Sequence, residues 1–404
     1  MQQGCARLLH VGNAICQRAS QSAQRSFSVS HPSLSYGQRD FALPNATWNP
    51  NTRELYNRYL ELSESGAWRR ISSFNATVHH LEGKPPEARR DSRLFTRNLD
   101  KDGVGFEYSM FFNKAEKRMI CIFQPGAYLE GPPGYTHGGC IATIIDSTAG
   151  AGAVYDCGRV MTANLNINYK NVRTGRTMQQ GCARLLRVGN AICQRASQSA
   201  QRSFSVSHPS LSYGQRDFAL PNATWNPNTR ELYNRYLELS ESGAWRRISS
   251  FDTFLHHFEG KPPEARRDSR LFTRHLDKDG VGFEYSMFFN KAEKRMICIF
   301  QPGAYLEGPP GYTHGGCIAT IIDTTAVTGA VYSCGRVMTA NLNINYKNPI
   351  PMGTTVLVDS NIEKEDGRKV YGRCQIRSHN DLILHADATV LFIKLESTGH
   401  GSVV

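Results

Sequence analysis

Apolar and polar positions alternate most clearly in the second half of the chain. Phe283, Tyr285, Met287 and Phe289 interleave with Glu284, Ser286 and Phe288, a polar turn runs from Asn290 to Lys294, and Met296 to Phe300 returns; this period of two predicts a β-hairpin. After a loop rich in Pro and Gly (301–313), Ile318, Ile321, Ile322 and Ala326 take up helical spacing in a run that is apolar almost all round, which predicts a buried helix. A third strand alternates again, with Met338, Ala340, Leu342, Ile344 and Tyr346 on one face and Thr339, Asn341, Asn343, Asn345 and Lys347 on the other. Three more strands are predicted near 354–362, 369–377 and 384–394, separated by turns at Glu365–Arg368 and His379–Asp381. Upstream, Asn226-Pro227-Asn228-Thr229 opens a short amphipathic helix carrying Leu232, Tyr236 and Leu239 and ending before Gly243, and the linker Glu259–Glu264 separates it from the hairpin.

Two strands, one central helix and four further antiparallel strands describe an α+β fold in which a six-stranded sheet curls around the helix, the hotdog layout. The same pattern appears twice. Met1 to Lys170 recurs as Met178 to Lys347 at a constant offset of 177, with few differences, among them Asn98/His275, Ser147/Thr324, Gly150/Val327 and Asp156/Ser333. A unit this long exceeds the roughly 20–50 residues of solenoid repeats, so it is a duplicated domain. Only the second copy continues, through Asn348 to Val404; the first lacks the last three strands and meets a basic joint, Asn171 to Thr177. The expected organisation is a presequence (1–35), a truncated hotdog copy (36–170), a linker with an internal presequence-like segment (171–212), a complete hotdog domain (213–396) and a tail (397–404).

The presequence reading comes from composition. Residues 1–35 hold Arg7, Arg18 and Arg25, many Ser and Gln, and no acid before Asp40; Leu8, Val11 and Ile15 share a helical face, and Arg25-Ser26-Phe27 has the form of a processing site. Mitochondrial import is expected, to the matrix or the inner membrane. The net charge of +12 changes meaning once it is located: Arg7, Arg18 and Arg25 with Arg173, Arg176, Arg184, Arg187, Arg195 and Arg202 account for nine of the twelve, leaving a nearly balanced body and no case for a nucleic-acid partner. No uninterrupted run of about 18 apolar residues occurs, so no transmembrane segment is expected. The eleven cysteines form no CxxC and no Cys/His cluster with zinc spacing, so no metal site is expected and the thiols should be reduced and packed. The sequons at Asn45 and Asn75 would matter only in a secreted chain.

Candidate chemistry gathers at the start of the central helix. The first N–H groups of a helix lack intrahelical partners and carry the positive end of its dipole, and His314-Gly315-Gly316 lets a carbonyl approach them with no Cβ in the way. Asp323 then places a carboxylate inside an otherwise apolar helix, which is costly without a function or a partner such as Thr320 or Thr324. His314-Gly-Gly-x-Ile-Ala-Thr-x-Ile-Asp323, followed by Val337 to Lys347 and Pro349-Ile350-Pro351, resembles the mitochondrial hotdog acyl-coenzyme A thioesterases of the thioesterase superfamily member 4/5 type, across essentially all of the second copy. The resemblance implies a dimeric hydrolase that cleaves fatty acyl-CoA of medium or long chain to free acid and coenzyme A. Coenzyme A is then part of the substrate, and no separate cofactor is implied.

Carried over by position, the resemblance makes Asp323 the carboxylate that activates water or attacks the thioester. Gly315 and Gly316 would hold the thioester oxygen, with His314 shaping the turn, and Thr339 of a partner protomer would assist. Coenzyme A contacts would fall at Asn345, Lys347, Arg368 and Lys369, a reading that suits its phosphates. The family favours a small residue four places after the aspartate, so Val327 is expected to crowd either the acyl channel or the helix contact. A cytosolic pool and regulation by a protein kinase are implied by resemblance alone. The first copy keeps His137, Gly138, Gly139, Asp146 and Thr162, yet without the last three strands it is expected to be a degenerate copy that forms no independent active domain. Alternative readings are a non-catalytic acyl-CoA-binding module, which has no use for Asp323, and a hotdog hydratase, which needs a His/acid pair.

Overall fold

The computed structural model describes residues 39–73, 93–132, 134–169, 184–187, 216–250 and 270–395. The presequence, the Glu259–Glu264 linker, Asn75, Lys170, the tail and all of the 171–212 linker except 184–187 lie outside the described residues. The first copy contributes α1 (Pro50–Glu64), β1 (Arg69–Ile71), β2 (Phe106–Asn113), β3 (Arg118–Pro125), α2 (Gly138–Cys157) and β4 (Asn164–Asn168). The 171–212 linker adds β5 (Arg184–Arg187). The second copy contributes α3 (Pro227–Glu241), β6 (Arg246–Ile248), β7 (Phe283–Asn290), β8 (Arg295–Pro302), α4 (Gly315–Cys334), β9 (Val337–Tyr346), β10 (Val356–Asp366), β11 (Lys369–Ser378) and β12 (Leu384–Lys394).

The second copy wraps α4 in an antiparallel sheet, as its periodicities predict, with seven strands of its own rather than six. The addition is β6, three residues paired to β7 and too short to register as an alternation. An eighth strand, β4, comes from the first copy, so the sheet runs β4-β9-β12-β11-β10-β8-β7-β6. β7 is buried on both faces. Phe283, Tyr285, Met287 and Phe289 enter the main core with α4, while Phe288 packs against Tyr233 and Tyr236 of α3, ring centroids 5.7 and 5.6 Å away. Glu284 tolerates burial because its carboxylate accepts from Asn222 Nδ2 (2.7 Å), Trp225 Nε1 (3.1 Å) and the Gly280 N–H (2.7 Å). Asn226 caps α3 by accepting from the Thr229 N–H. The helix buries Leu232 and Tyr233 and leaves Leu239 exposed.

α4 is long and apolar enough to cross a membrane by length and composition, but most of it is buried within the protein, with the sheet on one side and α2 on the other. It is the core of the fold. The described cysteines are free, as expected, and most are packed: burial pushes the Cys298 thiol up to about 12.

The first copy is no free-standing remnant. Its β4 pairs with β9 antiparallel, Asn164 opposite Asn345, Asn166 opposite Asn343 and Asn168 opposite Asn341, and its α2 lies across α4. Several contacts join residues exactly one repeat apart: Asn166 faces Asn343, Thr143 Oγ1 lies 3.4 Å from Thr320 Oγ1, and Phe95 stacks on Phe272 at 5.7 Å. Contacts between equivalents are the mark of a twofold axis, so the two copies are related as the protomers of an isologous dimer within one chain. The remaining strands of the first copy form a second sheet, β1-β2-β3-β5. In it β5 sits on β3 (Ile120 opposite Arg187) where β10 sits on β8 (Ile297 opposite Asp359), so part of the 171–212 linker occupies the place of a missing strand.

Near the axis the repeat is broken at Asn98/His275. His275 is buried, its Nδ1–H donates to the Phe272 carbonyl, and Asn98 Nδ2 lies 3.5 Å from its Nε2. Burial drives its pKa down to about 4; Arg270 pushes the same way, and the Phe272 carbonyl and Asp277 oppose. An unfolded chain therefore binds a proton below about 6.5 that the native chain refuses until about 4, so stability present at neutral pH is lost as the pH falls through that window. In urea unfolding at pH 7 and 4.5, His275→Asn should remove roughly 2 kcal/mol of the acid-induced loss. An unchanged pH dependence would refute this.

Candidate active site

Asp323 lies two turns into α4 and is 3% exposed. Its Oδ1 accepts a hydrogen bond from Thr339 Oγ1 at 2.8 Å. Thr339 stands opposite the buried Phe392 on the core face of β9, because the register shift at Ala340 reverses the alternation that predicts it on the polar face; β9 follows α4 through Gly335 at φ 82°, a left-handed position suited to glycine. The expectation that a partner protomer supplies Thr339 is thus corrected, because helix and strand of one copy already bring the pair together.

The other copy supplies the helix terminus. His137 Nδ1 is 3.6 Å from Asp323 Oδ2, and a Cβ added to Gly138 would lie 2.6 Å from the same oxygen. Gly315 and Gly316, expected beside Asp323, face Asp146 and Thr143 instead. The reason is helix geometry: eight residues at about 1.5 Å each put Asp323 about 12 Å along the axis from Gly315, so α4 cannot present its own first turn to its own carboxylate. The antiparallel α2 can.

Burial holds the pKa of His137 below its ordinary value against the opposing pull of Asp323, so the ring is neutral and its approach to the carboxylate is no ion pair. Nδ1 accepts the Gly139 N–H at 2.9 Å, which places the ring proton on Nε2. From there it points to Thr324 Oγ1 at 3.3 Å, and that hydroxyl donates to the Thr320 carbonyl at 2.7 Å. His137 is fixed as a cap, and it consumes the donor of the second glycine. Of the two expected donors, only the Gly138 N–H is left to meet a substrate oxygen. Tyr169, absent from the expected set, donates its hydroxyl to the Gly138 carbonyl at 3.0 Å, and burial raises its pKa and keeps it protonated. Its counterpart Tyr346 does the same at Gly315, also at 3.0 Å. The signal was a tyrosine on the apolar face of a strand, whose hydroxyl needs a partner once buried.

The same arrangement recurs across the axis. Asp146, 6% exposed, accepts from Thr162 Oγ1 at 2.6 Å; His314 Nδ1 is 3.5 Å from its Oδ2; and a Cβ on Gly315 would lie 2.7 Å from that oxygen. His314 Nδ1 accepts the Gly316 N–H at 2.9 Å, and Ser147 Oγ lies 3.1 Å from its Nε2.

The four expected coenzyme A contacts do not come together. Lys347 is level with His385 on β12, to whose carbonyl its N–H donates, whereas Lys369 is opposite Ile393. Eight residues along a strand separate them by about 25 Å. Thr339 pairs with Phe392, so Arg368 and Lys369 mark the end of the sheet near Asp323, while Asn345 and Lys347 belong to the far end. There Asn345 Nδ2 donates to Asp387 at 3.1 Å and Lys347 Nζ is 3.5 Å from the same carboxylate. Arg368 donates to the Lys394 carbonyl at 3.3 Å. Val327 is half-buried against the core, where Gly150 of the other helix has open space around it.

A buried carboxylate facing a helix N-terminus with one uncommitted N–H suits attack on an activated carbonyl: the donor meets the oxygen that gains charge, and the carboxylate serves the nucleophile. No group of three His, Cys, Asp or Glu able to hold a metal occurs among the described residues. The Thioesterase superfamily matches residues 310–384. Acyl-coenzyme A thioesterase THEM4 of Xenopus laevis is 56% identical over 221 residues, which are 54% of this chain and 99% of that protein. THEM4 of Rattus norvegicus is 44% identical over 230 residues (54% and 97%), and THEM5 of Homo sapiens is 37% identical over 188 residues (45% and 76%). Among solved structures, thioesterase superfamily member 2 of Mus musculus is 18% identical, covering 26% of this chain and 79% of that one with a TM-score of 0.25.

Proposed function

The chain belongs to the acyl-coenzyme A thioesterase family of THEM4 and THEM5, a family of thioester hydrolases, and we propose that it cleaves medium- or long-chain fatty acyl-CoA at a centre shared by its two repeats. The supporting observation is that Asp323, buried in an apolar helix and held by Thr339, faces Gly138 of the other repeat. The thioester carbonyl oxygen lies against the Gly138 N–H at the positive end of α2, and His137 and Tyr169 keep that turn in place. Asp323 accepts a proton from the attacking water as the C–O bond forms. When the C–S bond breaks, the leaving thiolate takes that proton, giving free acid and coenzyme A. The neutral ring of His137 has no role as proton carrier in this scheme, which sets it apart from a hydratase pairing of histidine and acid. Arg368 and Lys369, at the sheet end nearer Thr339, are placed to meet the phosphates of coenzyme A.

The composition of residues 1–35 supports a mitochondrial location. The edge of β9, through which a second chain would join the sheet, is taken by β4 of the same chain. The chain therefore contains within itself the pairing expected of a homodimer. The test is thiol release from a long-chain acyl-CoA by the full chain and by Asp146→Asn/Asp323→Asn. A loss of about 100-fold or more in kcat with an unchanged unfolding midpoint supports the reading, as expected for removing an acid–base group. Equal rates, or binding without turnover by both, would leave a binding module.

A further inference from the structure

We propose that the truncated repeat carries a second, working hydrolytic centre, built from Asp146 and Thr162 of the first copy with His314 and Gly315 of the second. The proposal rests on the thioesterase reading of the Asp323 centre and extends it to a site expected to be degenerate. Its geometry repeats that centre closely. The threonine–carboxylate bond is 2.6 Å against 2.8 Å, the histidine–carboxylate distance 3.5 Å against 3.6 Å, and the closest approach of carboxylate to a built glycine Cβ 2.7 Å against 2.6 Å. His314 is buried, and burial lowers its pKa as it does that of His137, so the neutral capping role is the same. The Gly316 N–H is spent on that cap, which leaves the Gly315 N–H for the substrate oxygen.

The objection is the loss of three strands, which should uncover α2. The uncovering falls elsewhere. From Gly139 to Thr148 most of α2 is buried, Asp146 included, because α4, β2 and β3 cover it; from Ala149 onward, past the carboxylate, none of its residues is buried. Everything the second copy must lend is present as well. His314 and Gly315 open the complete helix α4, and the bond from the Tyr346 N–H to the Ala163 carbonyl continues the β4–β9 ladder to the residue next to Thr162. The chemistry is the same: Asp146 takes the proton of water as the C–O bond forms, and the departing thiolate recovers it as the C–S bond breaks.

The experiment uses the full chain. Thiol release from a long-chain acyl-CoA is followed for Asp323→Asn, Asp146→Asn/Asp323→Asn and Asp323→Asn/His314→Ala, with thermal unfolding to exclude misfolded variants. Asp323→Asn should keep a rate within about tenfold of the unmutated chain, and each double variant should fall at least tenfold further. If Asp323→Asn is already as slow as Asp146→Asn/Asp323→Asn, the second centre is dead. A non-hydrolysable thioether analogue of the acyl-CoA, titrated calorimetrically, gives a reading independent of turnover: two sites per chain support the proposal and one overturns it. Failure of the unmutated chain to turn over any acyl-CoA would instead sink the thioesterase reading itself.

Discussion

Alanine at Gly139 is expected to cost about 3 kcal/mol or more of unfolding free energy and to abolish turnover at both centres, although the residue is no part of either reacting group. The added Cβ would lie 2.5 Å from the Cα of Thr320 and 2.6 Å from its Oγ1. A side chain can rotate away from such a contact and a backbone atom cannot, so α2 and α4 must separate. Their crossing aligns Gly138 with Asp323 and Gly315 with Asp146 at once, so a shift of about 1 Å misplaces both donors. Gly316→Ala should behave alike, since its Cβ would meet the Cα of Thr143 at 2.5 Å. Gly150→Ala is the control. It lies in α2 with nothing within 4 Å of a built Cβ, and the gain of helix propensity should leave stability equal or raise it by up to about 1 kcal/mol. Urea midpoints of the three variants check the claim, and a Gly139→Ala chain as stable as the control would mean that the helices do not cross where the structure puts them.

The contrast between these glycines shows what the sequence could and could not say. The strands, the central helix and the isolated carboxylate were legible because burial imposes periodicity and makes a lone Asp conspicuous; β12 runs from Leu384 to Lys394 as its alternation predicts. The face of Thr339 was not legible: alternation assigns it to the polar face, and the register shift at Ala340 turns it to the core, opposite Phe392. Nor was it legible which helix end meets which carboxylate, because local pattern carries no record of a twofold axis. The duplication held that information in another form: with two near-identical copies in one chain, self-complementary pairing is available without a second molecule, and the alternating asparagines of β9 fit it. Asn164 Nδ2 reaches Asn343 and Asn345 at 3.1 and 2.8 Å, and Asn341 Nδ2 reaches Asn166 and Asn168, both at 2.9 Å. Positions expected to contact coenzyme A are thus partly spent on joining the halves. The cover over α2 is hidden from local pattern for the same reason, since α4 lies 177 residues further along the chain.

Gly138→Ala should separate geometry from stability at the Asp323 centre. Placed in an Asp146→Asn background so that a single centre reports, it is expected to lower kcat by about 10²–10³-fold, the range seen when an oxyanion donor is lost. The N–H itself survives the substitution. What changes is that the new methyl would stand 2.6 Å from Asp323 Oδ2, the oxygen that Thr339 does not bind, so the carboxylate must turn away and release Thr339 or the helix end must retreat. Unlike the backbone collision at Gly139, this one involves the end of a side chain and can be relieved by rotation, so the unfolding midpoint should move far less than for Gly139→Ala. Loss of rate with near-native stability places the reacting carbonyl between Gly138 and Asp323. A rate close to that of the Asp146→Asn parent would show that the carbonyl binds elsewhere, and the pairing of the first copy's helix with the second copy's carboxylate would then be scaffolding alone.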